Sequence, residues 1–184
     1  MASDLYPLSA GLTLVSGPSR SGKSRWAEHL VSNLPKVTYV ATSAHQPDDM
    51  DWHERMRKHR LRRPSHWKLV ECGPDLLSLL RNPPGHALLI DSLGGYVAQH
   101  LSTSHSAWGI QCEQWPDLTT QLRHPVVLVI EEIGWGVVPT TSAGYLFRER
   151  LGELAEYLSN LSKCSWLVIQ GRALELTSLG LKVP

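Results

Sequence analysis

The sequence is short of charge bias, of cysteine and of long apolar runs, and each shortage closes a class of function. Its 184 residues carry 18 Lys and Arg against 17 Asp and Glu, a formal net charge of +1. That balance excludes a global basic coat for nucleic acid, although it is compatible with a local patch. The three cysteines, Cys72, Cys112 and Cys164, are odd in number and far apart, with no CxxC. They read as reduced, inert thiols of a cytoplasmic protein rather than as a disulfide framework or a zinc site. The longest aliphatic stretches, Ala87–Ile90 and Val126–Ile130, fall far short of the ~20 residues a membrane span needs. Met1 to Ala10 holds an acid, a proline and no basic n-region, so it is not read as a secretory signal. Internal repeats and low-complexity segments are missing too.

What remains is a composition with 42% hydrophobic residues, in a chain long enough to bury about 70% of its unfolded surface as one domain. Residues 1–184 are therefore read as a single domain, with 1–10 a loosely ordered extension. Short β-branched runs alternate with helical patterns, which predicts an α/β domain with a mainly parallel sheet. Strands are expected at Leu12–Ser16, Val37–Thr42, Trp67–Cys72, Ala87–Asp91, Val126–Ile130 and Ser165–Gln170. Helices are expected over Ser24–Leu34, over Pro47–Arg60, and through Phe147, Leu151, Leu154, Leu158 and Leu161, whose steps of four, three, four and three mark one buried face. Thr103–Thr119 and Thr140–Gly144 read as loops.

The sharpest local signal is Gly17-Pro18-Ser19-Arg20-Ser21-Gly22-Lys23-Ser24, a full GxxxxGK[ST] match between an apolar strand and an amphipathic helix. The glycines let backbone N–H groups approach phosphate oxygens, and the following helix start adds its positive end. Lys23 can reach the outer phosphates and the Ser24 hydroxyl can ligate magnesium. An acid from another strand end should complete the metal shell. Asp91 leads, with Glu131 and Glu132 as rivals and strand-end capping as the alternative for each. Between Arg55 and Arg63 six of nine residues are basic. This run could clamp nucleotide phosphates, contact nucleic acid, or simply be a solvated helix face. His59, inside it, shares a helical face with Trp52 and Met56, which by itself describes a partly buried structural histidine.

The order of motifs carries more. After the phosphate loop come Tyr39-Val40-Ala41-Thr42-Ser43, then His59-Arg60-Leu61-Arg62-Arg63-Pro64-Ser65-His66-Trp67, Val70-Glu71, Leu89-Ile90-Asp91, and Glu132-Ile133-Gly134-Trp135-Gly136-Val137-Val138-Pro139. From about Leu12 to Lys182 the chain resembles the bifunctional adenosylcobinamide kinase/adenosylcobinamide-phosphate guanylyltransferases of cobalamin biosynthesis. The resemblance implies a P-loop NTPase-type three-layer α/β domain with a mainly parallel central sheet. It implies phosphorylation of adenosylcobinamide with ATP or GTP and Mg2+. Transfer of GMP from GTP to adenosylcobinamide phosphate, through a guanylyl-histidine, would follow. Carried over residue by residue, the guanylylated histidine falls on His59. Nucleotide contacts fall on Gly17 to Ser24, on Thr42, Ser43 and Ala44, on Arg60, Leu61, Arg62 and Arg63, and on Glu71 and Asp91, with magnesium at Ser24 and Asp91. Partners would be the nucleotides, the corrinoid and other copies of the chain in a homo-oligomer (a trimer by resemblance), with no nucleic acid and no membrane. The chain departs from the family pattern at Ser92, Gly94, Gly95, Glu131, Ala155-Glu156 and Lys163. Trp108, Trp115 and Trp135 are additional tryptophans, expected on the corrinoid side or at an interface. Competing readings are a P-loop kinase of another small alcohol without guanylyl transfer, and a nucleotide-gated protein that binds nucleic acid or a partner.

Overall fold

The computed structural model describes residues 6–43, 50, 57 and 61–183. The helix expected over Pro47–Arg60 therefore lies almost wholly outside the described residues. Seven strands form one sheet in the order β3-β2-β4-β5-β1-β6-β7. They are β1 (Gly11–Gly17), β2 (Val37–Ala41), β3 (Lys68–Glu71), β4 (Ala87–Asp91), β5 (Pro125–Glu131), β6 (Cys164–Ile169) and β7 (Arg172–Glu175). All neighbours pair in parallel except β6 and β7. Among the described residues the helices with defined bounds are α1 (Lys23–Val31), α2 (Leu76–Arg81), α3 (Leu93–Gln99), α4 (His105–Cys112), α5 (Trp115–Gln121), α6 (Ser142–Leu161) and the single turn α7 (Leu176–Leu179), and residues 50, 57, 61 and 62 are helical too.

The two-residue period of the strands sorts the core into two layers. Val15, Val37, Tyr39, Leu89, Val127, Val129 and Trp166 meet Ala27, Leu30 and Val31 of α1 in one buried cluster. Leu12, Leu14, Val40, Leu88, Ile90, Val126 and Leu128 face the other way, against α2 to α6. The long helix α6 buries Leu151, Leu154 and Leu158, the face its leucine spacing predicts. Thr141 caps it, accepting a hydrogen bond from the Gly144 N–H at 3.1 Å. The expected loop over 140–144 is thus the cap and first turn of a helix.

Two other expectations are corrected. Residues 103–119 are not a loop but hold α4 and α5, and Trp108 and Trp115 are 4% and 1% exposed. They belong to the core with Tyr96, so neither lies on an interface or a ligand surface; Trp135, 58% exposed, does remain on the outside. The antiparallel edge strand β7 is the other addition, reached through a turn with Gln170 and Gly171 at φ 50° and 74°.

Candidate nucleotide site

A parallel sheet with helices on both faces leaves the carboxyl ends of its strands as the place where a ligand can meet several loops at once. The expected residues that are described converge there. Gly17 ends β1 opposite Glu131, which ends β5. Ala41 pairs with Glu71 on one side and with Asp91 on the other. Glu71, the Thr42–Ser43 pair that follows Ala41, Asp91, Glu131 and the phosphate loop thus lie along one edge of the sheet. His59, Arg60 and Ala44 lie outside the described residues.

The phosphate loop is pinned at both ends. The Glu132 N–H donates to the Gly17 carbonyl at 2.9 Å, and the Gly171 N–H donates to the Ser21 carbonyl at 3.0 Å. Gly17 packs so tightly on β6 that a Cβ there would run into the Val168 carbonyl oxygen. Gly22, the N-cap of α1, has φ 102°, a conformation that favours glycine. The sequence therefore has glycine at the two places where a side chain would unmake the cradle. Within the loop the Ser21 hydroxyl accepts from the Lys23 N–H at 3.3 Å, and Lys23 Nζ donates to the Pro18 carbonyl at the same distance. The lysine is thus folded back across the loop that it would leave to meet a phosphate. Pro18, Ser19 and Arg20 form the outer bend, with Ser19 and Arg20 exposed.

Next along the edge, the Thr42 hydroxyl, fully buried, donates to the Ser92 carbonyl and accepts from the Ser92 N–H at 3.1 Å. Gln99 Nε2 donates to the Thr42 carbonyl. Thr42 therefore clamps β2 to the start of α3, and the exposed Ser43 is the one of the pair that faces solvent. Gly95 is required by that clamp, since a Cβ there would press on Thr42 and Ser43.

Asp91 accepts a hydrogen bond from the Tyr39 hydroxyl at 2.7 Å. The Arg63 guanidinium lies over the Tyr39 ring, 3.9 Å from its centroid, and Arg62 pairs with Glu28 of α1 at 3.2 Å. Burial pushes the Tyr39 phenol well above its usual value, and the Asp91 carboxylate adds to the shift. Burial also raises the Glu28 carboxyl, with Arg62 opposing. Arg62, though exposed, and Arg63 thus each have a defined partner beside the sheet. Leu61, next to Arg62, is exposed.

Glu131, unused in the leading reading of the metal shell, is committed elsewhere. It accepts from the Ser92 hydroxyl and, at 3.0 Å, from the Gly94 N–H. A Cβ at Gly94 would collide with this carboxylate, 2.5 Å from its nearer oxygen. Three of the departures from the family pattern, Ser92, Gly94 and Glu131, are therefore one contact. Burial raises the Glu131 carboxyl, and the Asp91 charge adds to it while the Ser92 bond opposes. Glu132, the other rival, accepts from the Gly134 N–H at 2.7 Å and shapes the turn after β5. A cleft of about 450 Å3 opens between this turn and α6, and Glu131, Ala155 and Glu156 all line it.

Among the described residues no group of three or more His, Cys, Asp or Glu could hold a metal ion by itself. A magnesium ion that arrives on a triphosphate needs only one or two protein oxygens, and the donors at hand, the Ser24 hydroxyl and the Asp91 carboxylate, are the hard oxygens it takes. No helix among the described residues is long and apolar enough to cross a membrane.

Comparison with known proteins extends this geometry. Over 176 residues the chain is 33% identical to the bifunctional adenosylcobalamin biosynthesis protein CobU of Salmonella typhimurium, covering 87% of this chain and 96% of that one. The Escherichia coli protein of the same name matches with the same identity and coverage. The bifunctional adenosylcobalamin biosynthesis protein CobP of Pseudomonas aeruginosa is 31% identical over 150 residues, 79% of this chain and 86% of that one. Among solved structures, an ATPase from the type III secretion system of pathogenic bacteria superposes with a TM-score of 0.54 at 7% identity, over 94% of this chain and 59% of the other. A Pyrococcus horikoshii protein gives 0.52 at 6% identity, over 94% and 88%. At such identities the likeness concerns the fold, which is of the P-loop NTPase type. The family model described as cobinamide kinase / cobinamide phosphate guanyltransferase matches residues 13–176, from β1 to the first residue of α7, and the chain belongs to that family.

Proposed function

We propose that this chain phosphorylates adenosylcobinamide with ATP or GTP and then transfers GMP from GTP to the resulting phosphate, giving adenosylcobinamide-GDP and pyrophosphate. The observation that carries the reading is that the arginine end of the His59 segment meets α1, the helix that follows the phosphate loop, at Glu28, and meets Tyr39, which in turn holds Asp91.

In the first reaction the backbone N–H groups of the phosphate loop after Pro18 and the Lys23 ammonium hold the triphosphate in line with the substrate hydroxyl. The hydroxyl oxygen forms its bond to the γ-phosphorus as the bond to the departing diphosphate breaks, and the hydroxyl proton is released. Lys23 takes up charge on the oxygens being transferred, a term that requires the lysine to leave the Pro18 carbonyl. Ser24 and Asp91 are the residues that would hold magnesium, which when bound neutralises phosphate charge. In the second reaction a neutral imidazole nitrogen of His59 forms a bond to the α-phosphorus of GTP, and pyrophosphate leaves. The phosphate oxygen of the corrinoid then attacks the same phosphorus and frees the histidine. Arg60, Arg62 and Arg63, adjacent to it in sequence, balance charge on the leaving group. Ser43, Ala44, Leu61 and Glu71 are assigned as further nucleotide contacts.

We place the enzyme in the cytoplasm, as a homo-oligomer, a trimer, without nucleic acid. The free thiols and the exposed Leu174, Leu176 and Leu179 support that setting, and light scattering tests the assembly. The chemistry is tested by incubating the protein and its His59→Ala variant with Mg2+ and GTP labelled at the α-phosphate. An acid-labile, alkali-stable covalent label that disappears in the variant is expected. Absence of label in the wild type, with γ-phosphate transfer to adenosylcobinamide intact, would reduce the reading to a kinase.

A further inference from the structure

Tyr39 touches both halves of the proposed machinery and belongs to neither. It stands on β2 with its ring 4% exposed, packed in the α1-side cluster with Ala27, Leu30 and Leu89. A ring locked by packing makes its hydroxyl a fixed point. Tyr39 and Asp91 lie on one face of the sheet, because Tyr39 pairs with Leu89, two residues before Asp91. From there the hydroxyl donates to Asp91 Oδ2 at 2.7 Å. The opposite claim on the same ring comes from Arg63, stacked 3.9 Å from its centroid.

We infer that Tyr39 is a positioning residue that sets two groups at once: the Asp91 carboxylate for the magnesium-bearing phosphates, and Arg63 for the guanylyl-transfer step. The inference rests on the proposed function for the role of Arg63 and on the Ser24–Asp91 assignment for the metal. With Oδ2 held by the phenol, the carboxylate is restrained at the end of β4 before the ligand arrives. With the cation held over a buried aromatic face, the Arg63 side chain is restricted before nucleotide arrives, so less ordering remains to be done on binding.

The two contacts can be separated by substitution. Tyr39→Phe removes the hydroxyl and keeps the ring, whereas Tyr39→Leu removes both. Binding of a fluorescent GTP analogue, titrated with and without Mg2+, reads the first contact without any turnover. For Tyr39→Phe we expect unchanged affinity in EDTA and affinity weaker by about tenfold in Mg2+, the change expected from one lost hydrogen bond to a charged group. Equal affinities in Mg2+, or equal losses with and without it, overturn the Asp91 half. The rate of covalent labelling from α-labelled GTP at saturating Mg2+ reads the second contact. It should stay within about twofold of wild type in Tyr39→Phe and fall about tenfold in Tyr39→Leu, within the range of a cation–π contact of 1–2 kcal/mol. Indistinguishable rates in the two variants overturn the Arg63 half. Should Tyr39→Leu not fold, Arg63→Gln takes its place, and a wild-type labelling rate there is the overturning result. A wild type that takes no label defeats the guanylyl-histidine reading and the Arg63 half with it, while the Mg2+ titration still decides the Asp91 half.

Discussion

At the scale of single residues, the site depends on contacts between positions far apart in the chain. Glu131 reaches Ser92 and Gly94, and Tyr39 reaches Asp91; no local pattern announces such pairs. The phosphate loop was legible because its eight residues are contiguous and each type has a separate physical reason. Glu131 offers a direct test. Its carboxyl is raised by burial, so its favourable contribution is complete below the unfolded carboxyl value of ~4.3 and is lost as pH rises through the folded value. Glu131→Gln keeps an acceptor for the Gly94 N–H and a donor for Ser92 without the charge. It should raise Tm at pH 7.5, a gain of ~1 kcal/mol appearing as about 2–4 °C, and the gain should vanish near pH 4 in paired melting curves. The thiols supply a second test. Burial pushes Cys72 and Cys164 up to about 11 and raises Cys112. At pH 8 a thiol of that value is about one part in a thousand thiolate, against roughly a quarter for an ordinary cysteine. Alkylation of the folded protein should therefore be slower by about two orders of magnitude than after denaturation, as mass spectrometry of timed samples would read.

Among the elements, those with a strong period were readable and those held by tertiary contacts were not. The leucines of α6 and the apolar runs of β4 and β5 declare themselves. In 103–119 each helix has only two large apolar residues, Trp108 and Ile110 in α4 and Trp115 and Leu118 in α5, and Pro116 interrupts the polar text, so the segment reads as a connection. Its helices exist because Ser104 caps α4 by accepting from the Ala107 N–H at 3.3 Å, because Pro116 suits the first turn of α5, and because Trp108 and Trp115 find Tyr96. The strand β7 was missed for a related reason: its turn uses Gln170-Gly171 in place of the usual Asn-Gly signal, although both residues take the positive φ such a turn needs. If Trp115 anchors α5 as its burial implies, Trp115→Ala should cost about 3–5 kcal/mol in urea unfolding. A loss below ~1 kcal/mol would mean that α5 hangs on other contacts.

For the whole molecule, the strand order matters more than any one element. β5 lies between β1 and β4, so the phosphate loop and Asp91 face each other across one intervening strand end, with Glu131 in the gap. A ligand seated along this edge bridges parts of the chain some seventy residues apart, and its binding should be felt globally. GTP with Mg2+ at about 100 times its Kd should stabilise the fold by ~2.7 kcal/mol, or roughly 5–10 °C in Tm. Lys23→Ala should lose most of that shift in a thermal-shift assay while its ligand-free Tm stays within about 2 °C, since Lys23 is only partly buried. A full shift in the variant would remove Lys23 from the site.

The seven paired positions between β1 and β5 also carry a consequence for how this chain can vary in length. Substitutions within β1 alter one side chain, but losing one codon there would either turn the upstream residues of the strand to the opposite face or carry Gly17 off its place beside Glu131. The turn over 82–86, between α2 and β4, makes no such alignment. Families built on this frame should therefore accumulate insertions and deletions before β4 and almost none between Gly11 and Gly17, so that length, rather than residue identity, becomes the stricter record of the site.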